Sequence, residues 1–157
     1  RGDAAPSVGA GRAALAILAV LHEMGLSVDG AGADVGAATA IKMVRSVCVK
    51  GLEAITVEAL LAAQASGCLA EILDSLSQSY PGLGWPDHAA YVLERTLRHG
   101  ARRAAEMDES GVTLDALGLV GDLPRAIADV QRRQGQAGPN DADLATALAA
   151  TLDRRRG

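Results

Sequence analysis

The stretch Gly36-Ala-Ala-Thr-Ala-Ile-Lys-Met-Val-Arg-Ser-Val-Cys-Val-Lys-Gly51 opens a run, residues 35–66, that contains no proline. Apolar residues recur there at helical spacing. Ile41, Val44, Cys48, Leu52 and Ile55 form one row, and Met43, Val47, Ala54, Val57 and Leu61 form another. A helix carrying two apolar rows is covered on most sides, so burial is expected. At 1.5 Å per residue it spans about 45 Å, long enough to be the spine of a small protein. One narrow row is polar: Lys42, Arg45, Ser46, Lys50 and Glu53 step by three, one, four and three and therefore share a face. Three cations on one stripe of a buried helix need compensation, because burying an unpaired charge is expensive. Two readings stay open. The stripe faces solvent or acids of a neighbouring helix, or it lines a cleft that receives an anionic substrate.

The chain has 157 residues, 49% of them apolar, which is enough for one domain with a core. Alanine and leucine supply most of that, with no Phe, one Trp and two Tyr. Such a core favours close-packed helices and offers little aromatic surface for stacking bases. A net charge of −4 argues against nonspecific binding to nucleic acid or to anionic membranes. No apolar run reaches membrane-spanning length, since Ala13 to Leu21 is cut off by His22-Glu23. Cys48 and Cys68 read as reduced core thiols, hence a cytoplasmic setting, and no Cys or His spacing points to a metal site.

Ahead of the spine, Gly9-Ala10-Gly11-Arg12-Ala13-Ala14 matches the dinucleotide fingerprint G-x-G-x-x-A. A helix over about 12–24 follows, closed by Gly25, then a short strand candidate at Leu26-Ser27-Val28. Asp29 stands where the fingerprint has its ribose-binding acid. The motif needs a buried strand before it and a parallel sheet around it. Ala4 to Val8 is a poor strand, and none follows Val28. The match is therefore incomplete as a site, and Gly9 and Gly11 are kept as cofactor-binding candidates. The glycine-rich stretch 30–36 is the hinge. This divides the chain into a leading segment plus hinge at 1–33 and a helical domain at 34–157.

Beyond the spine, which should stop at Gly67, helices are expected at about 69–77, 87–110 (with a possible bend at Gly100), 123–134 and 142–154, the last capped by Asp141. Arg95, His99, Arg102, Arg103, Glu106 and Glu109 share one broad face. That face is either a solvated charged surface or the partner of the Lys42 stripe, with Glu106 balancing a cation. The architecture expected is all-α, a bundle around one long central helix with a short α/β piece at its start. More apolar surface is present than one short chain covers, so a homodimer is expected.

Gly36-Ala37 followed by Lys42-Met43-Val44 resembles the start of the long helix in 6-phosphogluconate dehydrogenases and the wider β-hydroxyacid dehydrogenases. Lys50-Gly51 and Glu106-Met107-Asp108-Glu109 extend the likeness to the helical C-terminal domain of NAD-binding 6-phosphogluconate-dehydrogenase-like proteins, over about 13–133. The resemblance of the spine implies that residues 9–30 are a remnant of a dinucleotide-binding domain. It also implies that Lys42 is the catalytic acid/base, that Arg45, Ser46, Lys50 and Glu106 contact a small anionic substrate, and that NAD or NADP serves the complete protein without being bound by this chain alone. Ser46 stands where the family has asparagine, Arg45 where it has histidine, and Val49 where it has a glutamate acid. These departures favour the alternative of a non-catalytic helical module for self-association or partner binding.

Overall fold

A glycine turn joins the first two elements, β1 (Ser7–Gly9) and α1 (Arg12–Glu23). The computed structural model describes residues 7–9, 11–25, 28–31, 34 and 36–156. Two units can be distinguished, Arg1–Arg45 and Ser46–Gly157. In the first, β1 pairs in parallel with β2 (Val28–Gly30), in the register Ser7↔Val28, Val8↔Asp29 and Gly9↔Gly30. Parallel strands require a crossover, and α1 supplies it. Gly11 turns the chain into α1 at φ 94°, and Gly25 leaves it at φ 76°. The strand after Gly25 begins at Val28; Leu26 and Ser27 lie outside the described residues, as do 1–6 ahead of β1 and 32, 33 and 35 of the expected hinge.

The spine, α2 (Ala37–Ser66), has the expected limits. Gly67 adopts φ 71°, and the Cys68 N–H reaches back to the Ala63 carbonyl at 3.0 Å, which satisfies an end carbonyl. The second unit continues with α3 (Leu69–Ser79), a short 3-10 turn (Pro81–Leu83), α4 (Asp87–Ala116), α5 (Asp122–Ala137) and α6 (Leu144–Arg156). Val57, Leu60 and Leu61 of α2 pack with Val92, Leu93 and Leu97 of α4 and with Ala147 and Leu148 of α6. A second cluster joins Ala54 to Ala104 and Met107 of α4 and to Ile127 and Ala128 of α5. The all-α bundle with a short α/β piece at its start is thus the architecture observed.

Four local expectations are corrected. Full burial of α2 does not hold: in its second-unit part Ala54, Val57 and Leu61 are buried, whereas Leu52 and Ile55 of the other row are 55% and 68% exposed, because the helices of that unit cover only one side. Cys48 rides on that open row and is exposed, so it is not a core thiol; Cys68 is half-buried, and both are free. Helix α4 runs unbroken through Gly100 and beyond Ser110 to Ala116. Gly100 serves a close crossing with α5 instead, since a Cβ there would lie 2.5 Å from the Gly135 nitrogen.

The fourth concerns the cap of α6, which is Asp143 and not Asp141. Its carboxylate accepts from the Thr146 hydroxyl at 2.7 Å and the Thr146 N–H at 3.1 Å, and these bonds hold the carboxyl below its ordinary value of 3.8. Asp115 is lowered likewise by the Arg125 guanidinium and by the Gly121 N–H, 2.9 Å away. A carboxyl depressed in the folded state stabilises it above the unfolded value and loses that contribution as pH falls through the folded one. Asp143→Asn should therefore lower the urea midpoint near neutral pH, with the difference from wild type shrinking as the pH falls below the ordinary carboxyl value. An equal difference throughout would show that Asp143 acts through shape and not through charge.

Candidate functional site

The polar residues of α2 and α4 meet in pairs. Lys50 Nζ donates to Ser46 Oγ at 3.2 Å and lies 2.8 Å from Glu106 Oε2. Arg102 pairs with the other Glu106 oxygen. One turn along α2, Glu53 pairs with Arg103 and accepts from Gln131 Nε2 of α5 at 3.2 Å. Three residues forward on α2 correspond to three residues back on α4, so the helices run antiparallel and each polar position meets its complement. Ser46, Glu53 and Arg103 are buried at 6–7% exposure, and the Lys50 and Glu106 side chains are 12% and 20% exposed.

Burial pulls the Arg103 guanidinium below its ordinary range, while the Glu106 charge acts the other way. Arginine remains cationic under such a shift, so Glu53 and Arg103 form a closed ion pair. The Lys50 cluster is different. Two cations share the Glu106 carboxylate, which leaves a positive excess at a half-buried position beside a hydroxyl. Such a group can orient an anion or donate a proton to an oxygen.

Of the residues singled out in the sequence, Ser46, Lys50 and Glu106 come together. Lys42 and Arg45 belong to the first unit, are exposed, and have no carboxylate partner among the described residues. Gly9 ends β1, and Gly11 follows it with open space where a side chain would stand. The α4 face meets the spine through Arg103 and Glu106, while Glu109 stays exposed. Gln131 is fully buried and was not anticipated. Its signal was a polar residue one turn after Ile127, on the apolar stripe of α5. No group of metal-ligating side chains occurs among the described residues, and no helix among them is long and apolar enough to cross a membrane. A small open groove lined by Leu93, Glu94, Asn140, Asp141 and Leu144 lies more than two turns of α4 away from the Lys50 cluster and brings no nucleophile or base to it.

Residues 63–134 match the family described as a domain of unknown function, DUF1932. Two solved structures are similar over nearly the whole chain. A conserved hypothetical protein from Sinorhizobium meliloti 1021 is 34% identical with a TM-score of 0.81, over 94% of this chain and 51% of its own. The conserved protein MTH1747, of unknown function and described as structurally similar to 3-hydroxyacid dehydrogenases, is 28% identical with a TM-score of 0.71, over 92% of this chain and 51% of its own. The chain thus spans about half the length of each of these solved proteins. Among curated proteins, none matches.

Proposed function

We propose, for a chain that carries the DUF1932 domain, the C-terminal helical domain of NAD-binding 3-hydroxyacid dehydrogenase-like proteins, that it is the substrate-binding and dimerising half of an NAD(P)-dependent oxidoreductase acting on a small β-hydroxy acid. The observation that carries this reading is the fold shared with a structure described as similar to 3-hydroxyacid dehydrogenases. Lys42 would move the proton at the substrate hydroxyl. By the resemblance, Arg45 and, separately, Lys50 with Ser46 and Glu106 would contact the substrate's carboxylate or phosphate. In the complete protein NAD(P) would supply hydride-transfer chemistry, with Gly9 and Gly11 as its candidate binding residues. A Cβ at Gly11 would meet nothing within 4 Å, although Gly11 is itself buried and a two-stranded sheet is too small to hold the cofactor by itself. The exposed row with Leu52 and Ile55 suits a second copy of the chain, and free thiols suit a cytoplasmic setting.

In the complete protein, Lys42→Ala should cut NAD(P)-linked turnover of β-hydroxy acids by about 10²-fold or more, without changing the helical signal. Light scattering should give twice the chain mass. Near-normal turnover would remove Lys42 from the mechanism, and a mass of one chain would remove the dimer. The mutual satisfaction of Ser46, Lys50 and Glu106 favours a second reading, a non-catalytic helical module. Absence of any NAD(P)-linked turnover in the complete wild-type protein would support it.

A further inference from the structure

The lysines and arginines that the second unit draws in from solvent are Lys50, Arg95, Arg103 and Arg155. Lys50 pairs with Glu106, Arg103 with Glu53, and Arg155 with Glu58 at 2.6 Å. Arg95 has no carboxylate partner among the described residues. What holds it carries no negative charge. Its Nη1 lies 3.2 Å from His99 Nε2, one turn later on α4, and its Cζ lies 5.9 Å from the centre of the Tyr91 ring, one turn earlier. Its Nε is buried without a hydrogen-bond partner. A guanidinium contact of this kind uses the imidazole lone pair, so His99 supplies orientation and no negative charge.

A half-buried cation with no carboxylate partner among the described residues carries a desolvation cost that no ion pair there offsets. The same partial burial lowers the local dielectric and strengthens attraction to any anion that arrives. The guanidinium fork matches the paired oxygens of a carboxylate or a phosphate. We infer that Arg95, oriented by Tyr91 and His99, anchors an anion-binding site for a small carboxylate or phosphate group. The site is separate from the Lys50 cluster: Glu106 lies eleven residues along α4, about 16 Å away at 1.5 Å per residue. It rests on no step of the dehydrogenase reading.

The test is an NMR titration of the ¹⁵N-labelled chain with inorganic phosphate and, separately, with malonate, at ionic strength balanced with chloride. Backbone amides of Tyr91, Arg95 and His99 should shift saturably. Arg95→Gln should raise the dissociation constant by about tenfold or more, with amide positions outside α4 unchanged. Lys50→Gln should leave it unaltered. Saturation with phosphate alone or malonate alone names the ligand class. Linear shifts with both anions, shifts that survive Arg95→Gln, or shifts abolished by Lys50→Gln would overturn the assignment. The last of these outcomes would place the anion at Lys50 and leave the dehydrogenase reading standing.

Discussion

Gly100→Ala is expected to destabilise the helical unit by about 2 kcal/mol net, although alanine is the better helix former by about 1 kcal/mol. A Cβ on Gly100 would stand 2.5 Å from the Gly135 nitrogen and 2.8 Å from its Cα, and closer still to the Gln131 carbonyl oxygen. All three are backbone atoms of α5, so no rotamer change relieves the contact and the two helices must separate. Overpacking of that kind costs typically about 1–3 kcal/mol and sometimes more. Gly135→Ala strikes the same crossing from the other side, with its Cβ 2.7 Å from the Ala101 nitrogen. The two losses should add to less than their sum, because one separation accommodates both. Gly51→Ala is the control. Its Cβ meets only the Ile127 Cδ1 methyl at 3.3 Å, the far end of a side chain that can turn aside. It should be neutral or stabilising by up to about 1 kcal/mol. Urea unfolding of the three variants measures the contrast. A Gly100→Ala variant as stable as Gly51→Ala would mean that α4 and α5 do not cross at Gly100.

This crossing marks the limit of what a single strand of sequence discloses. The ends of α2 were readable because Gly36 and Gly67 are local stops, with φ values of 95° and 71° that other residues avoid. Gly100 and Gly111 are spelled with the same letter but sit inside α4, where glycine makes room for α5. Read locally, one suggests a bend and the other an end; only the neighbouring helix shows that neither occurs. The cap of α6 is ambiguous in the sequence for a related reason. Asn140, Asp141 and Asp143 all qualify by composition, and the choice depends on backbone angles that composition does not set. The apolar rows of α2 are legible as rows, but which one is covered depends on where α4 and α5 lie. The charged face of α4 was legible as a possible partner for the spine. The pairings of Lys50 with Glu106 and Glu53 with Arg103 needed the antiparallel register, which no local pattern encodes.

The Glu53–Arg103 pair should reveal its worth when it is broken one side at a time. Glu53→Leu leaves a guanidinium at 6% exposure without its ion-pair partner, and Arg103→Met leaves a carboxylate equally enclosed. Each is expected to lose about 3–5 kcal/mol, because the remaining charge keeps its desolvation penalty without its partner. That is a large share of the stability of an ordinary domain, about 5–15 kcal/mol, so either variant should be partly unfolded at body temperature. Removing both charges together removes the penalty as well. The double variant should recover most of the loss, apart from about 1–3 kcal/mol for the Gln131 amide, which donates to Glu53 at 3.2 Å and would be left without that acceptor in a buried position. Adding Gln131→Leu should restore stability to the wild-type level or above it, in line with the gain of about 1–4 kcal/mol seen when buried ion pairs become apolar. Equilibrium denaturation of the singles, the double and the triple separates the terms. Small, additive losses in the singles would mean that water reaches the pair. If the triple variant also loses its antiparallel pairing of α2 with α4, measured by cross-linking between cysteines placed at Lys50 and Glu106, the ion pair sets helix register; if that pairing survives, the apolar contacts around Val57 and Leu97 suffice to define it.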